Sequence, residues 1–477
     1  MALIQQRLML ALVCSVVCVA TVRAQTVEPW ATYRGNPQRT GNTDGIAGPA
    51  APDVLWVLKS KDHYIAAPVP AGDRLIVSGL GAFNLGNLAC LSMDVSAKNR
   101  TLWSKSTPFL KLPTVSSPGL FKNYLIFGDG MHQTSGAMLY CLESAQGAPV
   151  WRHSVPGDLV HLEGSPTIVA GKAYMGGGAA GVLCVEVDRA TIDGKAHDLP
   201  SLQKITAERW KQLQAKYEME KKTDPQFAVP PSEDQLLLAD PAQLWQQGKE
   251  KWHVDAPVNV LGGKVLAASA FLDKEQVGDR ALFCLEAGTG AIVWRTPLKL
   301  NPWGGPSVAG DTVIVSGSTI GYDFNALKGA KGFIAAYNLG DGKQRWSKDI
   351  TGGVVACAAL AGESAVVTAT DGKVRAFNIA SGDRQWIYDA KMPLFAPVAI
   401  AGDVVYAGDL RGVVHAIDLK TGQQKWQLDL GTHPSVQAPG MVYGGPIVHA
   451  SRLYVATCNL QGPNANQTTA VVCIGKK

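Results

Sequence analysis

Short apolar runs of four to six residues, broken by polar turns, recur along almost the whole chain. Val413-Val-His-Ala-Ile417 reads as one strand and Gln424-Lys-Trp-Gln-Leu428 as its hairpin partner, with Asp418 to Gly422 as turn chemistry between them. The same unit returns before Trp386, Trp346, Trp294, Trp151 and Trp103, so the pattern predicts a repeat architecture rather than a set of unrelated hairpins. A glycine lies four residues before Trp426, Trp386, Trp346, Trp294 and Trp151; before Trp103 the position holds Asn99, expected to take left-handed backbone in glycine's place. A small residue lies ten positions before each Trp in the regular copies: Ala416, Ala376, Ala336, Cys284 and Cys141. Two further strands precede each unit. The first opens on a small residue and Pro, as in Ala67-Pro68, Ser117-Pro118, Ser165-Pro166 and Ala396-Pro397, where proline costs no ladder donor.

Trp56, Trp103, Trp151, Trp252, Trp294, Trp346, Trp386 and Trp426 mark eight such four-stranded units, which predicts an all-β, eight-bladed β-propeller over residues 53–475. The strand around Trp56 has no turn before it, and the last repeat, ending at Val471-Val-Cys-Ile474, has no Trp strand after it. The N-terminal strand is therefore expected to complete the last sheet and close the ring, which leaves no sheet edge open between blades.

One repeat is stretched: 101 residues separate Trp151 from Trp252, against 40 between Trp386 and Trp426. The excess, residues 191–247, falls in the turn between the third and fourth strands of blade three. Leu202, Ile205, Trp210, Leu213 and Tyr217 recur at helical spacing, Ser232 and Gln235 form a capping box, and Asp240-Pro241 resembles a third helix start. This predicts a helical insertion docked on one face of the propeller.

Residues 1–24 have the organisation of a secretory signal: Arg7, an apolar run over 8–20, and Val22-Arg-Ala24 before Gln25. Export to a periplasmic or extracellular compartment is the expectation. Cys14 and Cys18 each follow Val, which argues against a lipoprotein anchor, and no later stretch is long enough to span a bilayer. Residues 25–52 form a loop-like N-terminal extension. The formal charge of +5 falls to +5 − 2 = +3 without Arg7 and Arg23, which gives no footprint for nucleic acid. Of the seven remaining cysteines, Cys90, Cys141, Cys184, Cys284 and Cys473 occupy the strand position that Ala holds elsewhere, so buried free thiols are expected.

Ala416-Ile-Asp418-Leu-Lys-Thr421-Gly422-Gln-Gln-Lys-Trp426 resembles the A-x-D-x-x-T-G-x-x-x-W tryptophan-docking motif of pyrroloquinoline-quinone-like (PQQ-like) β-propellers, and the resemblance extends over 53–475. That family includes quinoprotein alcohol dehydrogenases and BamB-like assembly factors. The resemblance implies that each of the eight Trp residues packs between a small residue and the next blade. The enzymes' adjacent Cys-Cys pair is absent, as is a C-x-x-C-H haem site. The chain accordingly looks like the non-enzymatic, BamB-like branch: an exported, monomeric binding or scaffold propeller with no cofactor, whose partner is an envelope protein or an extracellular ligand. The alternative is a PQQ-dependent dehydrogenase using PQQ and Ca²⁺ without that Cys pair.

Other chemistry is sparse. His161-Leu-Glu163 and His253-Val-Asp255 each place two polar groups on one strand face, but neither has a third ligand at recognisable spacing, and solvated loop residues are the expectation. Gly176-Gly-Gly-Ala-Ala-Gly181 opens no helix and reads as a hairpin turn. The loops between second and third strands (79–88, 128–138, 268–281, 317–332 and 458–468) are long and dissimilar. They share a face with the inter-blade connections bearing Tyr64, Lys111, His161, Trp303, Lys391, Phe395, His433 and Tyr443, which together define the expected binding face.

Overall fold

A computed structural model describes residues 29–476 apart from Gln133; the expected signal sequence lies outside these residues. Eight four-stranded antiparallel sheets follow one another, with strands A to D ordered from the central channel outward. Blade 1 is Val69–Ala71, Arg74–Leu80, Gly86–Ser92 and Thr101–Lys105, and blade 7 is Val404–Gly408 and Val413–Asp418 between Ala399–Ala401 and Gln424–Asp429. Blade 8 is completed from the other end of the chain: Asp53–Ser60 pairs with Thr469–Gly475 outside Arg452–Ala456 and Ile447–His449, with Trp56 opposite Cys473. The ring is closed by the N-terminal strand.

The repeat pattern has a direct geometric cause. Each repeat Trp faces a small residue across the C–D hairpin: Cys90–Trp103, Cys141–Trp151, Cys284–Trp294, Ala336–Trp346, Ala376–Trp386 and Ala416–Trp426. Trp426 donates to Pro49 O of the N-terminal extension at 3.4 Å, and Trp151 Nε1 is buried without a partner. In the other four the indole N–H reaches the following blade's C–D turn, donating at 2.8–3.1 Å to Ser144 O from Trp103, Leu339 O from Trp294, Ile379 O from Trp346 and Leu419 O from Trp386. The turn glycine of that blade lies flat on the ring. A Cβ on Gly342, Gly382 or Gly422 would stand 2.5–2.8 Å from Trp294, Trp346 or Trp386, and all three glycines have φ near +70°. Thus one motif links blade 1 to 2, 4 to 5, 5 to 6 and 6 to 7. The seven described cysteines are buried and unpaired, five of them within this packing.

Two features depart from the sequence expectation. In blade three the fourth strand is Gln243–Gln247, and the residue opposite Cys184 is Trp245, not Trp252. Trp245 donates to Ala287 O at 3.0 Å and lies under Gly290, the arrangement of Trp103, Trp294, Trp346 and Trp386. Trp252 follows the blade and stacks on Phe283 at 3.9 Å. Gly248 satisfies the glycine-to-Trp spacing but contacts Trp252 locally. Nor does Asn99 take left-handed backbone: Arg100 closes that turn, donating to Ser92 O at 2.7 Å and lying 4.4 Å over the Trp56 ring.

The insertion contains a hairpin (Arg189–Ile192 with Lys195–Asp198), one helix α1 (Leu199–Thr223) and a short 3-10 turn (Glu233–Leu236). Asp198 caps α1 by accepting from Ser201 N at 2.9 Å, and Gln235 accepts from Ser232 N at 3.0 Å, as a capping box requires. Asp240-Pro241 starts no helix; Asp240 pairs with Thr191 and leads into strand D. Strand D thus reclaims 243–247 from the expected insertion. The segment packs on the outer strand of blade 2, Pro149–Val155, rather than on a face of the disc. Ala239 O accepts from Arg152 N, and Asp240 holds His153 Nδ1 at 2.8 Å, so the insertion covers an edge that water would otherwise meet. Trp151 is consequently fully buried.

The N-terminal extension is built into the channel. The inner strand of each blade has an unpaired edge facing the axis, and residues 30–41 supply the acceptors. Trp30 O, Ala31 O, Pro37 O, Gln38 O, Thr40 O and Gly41 O accept at 2.6–3.3 Å from Leu120, Ile168, Val308, Leu360, Ile400 and Val448 of blades 2, 3, 5, 6, 7 and 8. Arg39 donates to Val258 O of blade 4 at 2.9 Å, and Arg34 donates to Val398 O.

Candidate functional site

The expected binding-face residues separate into three groups. Phe395, Tyr443 and Trp303 gather with Tyr322, Met441 and Cys458 into an apolar cluster at the channel mouth; the Phe395 and Tyr443 rings meet edge to face at 5.3 Å, with Tyr322 5.7 Å from Phe395. Phe395 is fully buried, so it is a plug and not a contact surface. Loops fold inward above it: Gln461 donates to the Tyr443 hydroxyl at 2.7 Å and to Tyr322 O at 3.2 Å, and accepts from Phe324 N at 3.0 Å. Tyr322 in turn donates to Val355 O at 3.0 Å.

Tyr64 lies apart, buried beside a cleft of about 490 Å³ between blades 8 and 1 that Lys59, Asp62 and Asn87 also line. Burial pushes its hydroxyl up to about 12. The cations do not join the aromatic cluster. Lys111 is exposed, exposed Lys391 pairs with Asp389 at 2.8 Å, and His433 Nδ1 accepts from Ser435 N at 3.2 Å.

His161 belongs to the third group, which the sequence did not assemble. His132 comes from the B–C loop of blade 2, His161 and Glu163 from the connection between blades 2 and 3, and His253 and Asp255 from the next connection. One potential ligand atom each from His132, His161, His253 and Asp255 lies within 4.8 Å of all the others. The three imidazole centroids form a near-equilateral triangle with sides of 5.2, 5.7 and 5.8 Å. Far from being solvated, His161 and His253 are completely buried.

Asp255 Oδ1 lies 2.8 Å from His161 Nε2, hydrogen-bonded, and 3.0 Å from His253 Nε2 outside hydrogen-bond geometry. Burial alone would raise the Asp255 carboxyl, but His253 and His161 outweigh it and hold it well below the usual carboxylate range. Glu163 accepts from the His132 backbone N–H; burial, then the Asp255 charge, raises its carboxyl to about 7. Burial opposes protonation of His161, but Asp255 and Glu163 more than compensate and raise it. Burial lowers His132.

The glycine run seats this cluster. Gly177 N bonds Gly181 O at 2.9 Å, as a hairpin turn does, and Gly178 exchanges two 3.0 Å backbone bonds with Val254, between His253 and Asp255. A Cβ at Gly178 (φ +58°) would lie 2.8 Å from His161 Cε1. His132 was invisible in sequence because its loop carries no local spacing. The readable signal was that H-x-acid recurs just before the small-Pro opening of two successive blades, at Ser165-Pro166 and Ala256-Pro257.

A closed eight-bladed ring with short turns on one face and long loops on the other defines a propeller of the PQQ-like class. A family profile described as outer membrane protein assembly factor BamB matches residues 235–332 and 304–474, just over half the chain, and the chain belongs to this PQQ-like repeat β-propeller family. BamB from Moraxella catarrhalis superposes with a TM-score of 0.57 at 14% identity, over 88% of this chain and 99% of that one. A europium-containing methanol dehydrogenase gives 0.59 at 11% identity, over 94% and 98%. A quinohemoprotein alcohol dehydrogenase from Pseudomonas putida HK5 gives 0.57 at 11%, over 94% and 80%. At such identities these likenesses establish the fold alone. A search of curated sequences finds no match. Among the described residues no helix is long and apolar enough to cross a membrane.

Proposed function

We propose that this chain is an exported, non-catalytic binding propeller that holds an envelope protein on the face bearing the B–C loops and inter-blade connections. The observation that carries this reading is the asymmetry of the two faces. The C–D turns of blades 2, 4, 5, 6 and 7 repeat the same backbone hydrogen bond, from Gly147, Gly290, Gly342, Gly382 and Gly422 N to the carbonyl of the residue four before, whereas the B–C loops differ in length and present exposed aromatic side chains. Phe83 is 96% exposed and Tyr322 41%. Large aromatic groups held on a rigid scaffold are characteristic anchors of protein interfaces. The family's assembly-factor description supports the same class of role, and the organisation of residues 1–24 supports export.

The quinoprotein alternative is less well supported. A planar quinone needs a slot, and the channel here is occupied from within by Phe395 and Tyr443 on one side and by residues 30–41 along the inner strands. Cys357 and Cys458 are buried single thiols, not an adjacent pair. Ca²⁺ takes six to eight oxygen ligands, whereas the clustered donor set is three imidazoles and a carboxylate.

Adding PQQ with Ca²⁺ to the purified protein discriminates the two readings. The binding reading expects neither saturable change in quinone absorbance nor alcohol-dependent dye reduction. Stoichiometric quinone uptake with turnover would replace it by the dehydrogenase.

A further inference from the structure

The histidine cluster is absorbed by neither reading, and its chemistry is specific. Four donor groups from three separate loops converge on one point beneath the loop face. Three of their ring nitrogens, His161 Nδ1 and both nitrogens of His253, are buried without a hydrogen-bond partner. A buried polar atom left without a partner is costly, and one ion bound through one nitrogen of each ring would satisfy two of these three. Two carboxyl groups share the enclosure: Asp255 lies 2.8 Å from His161 Nε2 and 3.0 Å from His253 Nε2, and Glu163 holds the His132 backbone N–H.

We propose that His132, His161, His253 and Asp255 bind one divalent transition-metal ion of the zinc class and thereby pin together the loops of blades 2, 3 and 4. Nitrogen-rich donors favour Zn²⁺ and its neighbours over Ca²⁺ or Mg²⁺, which require oxygen. Metal–ligand bonds of about 2.1 Å place the corners of a tetrahedron about 3.4 Å apart. The donor atoms lie within 4.8 Å of one another, with His161 Nε2 2.8 Å from Asp255 Oδ1, so ring rotation and a contraction of at most about 1.4 Å at the widest pair bring them onto that edge. Four protein ligands fill a tetrahedral site, which makes it structural rather than open to substrate.

The surroundings fit an outer shell. Glu163 fixes the His132 backbone, Ser269 Oγ accepts from His253 N at 2.9 Å, and Gly178 allows the ring of His161 to approach the Val254 strand. No other group of three or more such donors converges this closely among the described residues.

The test uses untagged full-length mature protein, stripped with a chelator and titrated with Zn²⁺ in competition with a chromophoric chelator, alongside Co²⁺ spectroscopy. The expected result is one ion per chain, intense visible bands of tetrahedral Co²⁺, and a thermal midpoint that rises with the metal. His253→Asn and Asp255→Asn should abolish stoichiometric uptake, and Glu163→Gln should weaken it by about 10- to 100-fold. His415→Asn, at a buried histidine paired with Asp409 in blade 7, should bind as the native protein does. If the ligand variants fail to fold, the Co²⁺ spectrum of the native protein decides alone. Absent or octahedral-type bands, or undiminished uptake by a folded His253→Asn, would overturn the proposal.

Discussion

At the scale of single residues, the repeat is legible because each conserved-looking position within the chain answers one geometric demand. The residue opposite each indole must be small, which is why Cys284 and Ala336 are interchangeable there. The turn acid or amide must accept from the two backbone donors that follow. Asp418 Oδ1 takes Lys420 N and Thr421 N at 3.1 and 2.8 Å, and Asn378 Oδ1 takes Ala380 N and Ser381 N at 3.0 Å each. Hydrogen bonds from Thr421 and then Lys425 hold the Asp418 carboxyl down at about 2. Its unfolded value is near 3.9. A folded pKa below the unfolded one stabilises the fold above that unfolded value, and this contribution disappears as pH falls through 2. Asp418→Asn keeps an acceptor but not the charge. The stability gap between native protein and variant should therefore narrow on acidification from about pH 5 to about pH 2. Urea midpoints measure it, and a gap independent of pH would show that the carboxylate charge contributes nothing.

At the scale of elements, strands were readable and their exceptions were not. Turn spacing picked Gly248 and Trp252, yet register in blade three is set by pairing across the sheet, where Cys184 selects Trp245. The insertion returns to the sheet five residues earlier than the glycine suggested. Its helix was legible from period, but its dock on Pro149–Val155 was not, because the contacts are made by Leu199, Leu202 and Asp240 against another blade. The N-terminal extension was read only as loop, since its role comes from backbone carbonyls that no side-chain pattern encodes. Arg34 and Arg39 show what it requires: each is 1% exposed, with no carboxylate in ion-pair range among the described residues. They are held by carbonyls instead, and burial lowers both from the usual guanidinium value. Arg39→Ala would leave Tyr33 O without its donor, at about 1–3 kcal/mol, and would remove one of the two donors to Val258 O, which keeps Thr167 Oγ1 at 2.7 Å. Thermal midpoint should fall, and limited proteolysis should release residues 29–52 before the blades are cut. Unchanged stability and protection would show that the extension does not brace the channel.

At the scale of the whole molecule, closure was deducible from two incomplete ends, an orphan Trp56 strand and a final sheet lacking one. Site assembly was only half deducible: His161 and His253 carried a repeated pattern, but His132 joins them solely through the curvature of the ring. The same curvature turns Phe395 inward to seal the channel, leaving Phe83 and Tyr322 as the outward aromatics. The competing surface is the insertion, where Met219 is 70% and Phe227 79% exposed. The measurement that decides between them is photo-crosslinking in the intact cell envelope, with a photoreactive residue placed singly at Phe83, Tyr322, Met219 or Phe227. The binding-face account predicts a discrete partner adduct from Phe83 and Tyr322, weakened at either position by alanine at the other, and none from the insertion. Adducts from Met219 and Phe227 alone would contradict it and move the binding site to the rim of blade 2.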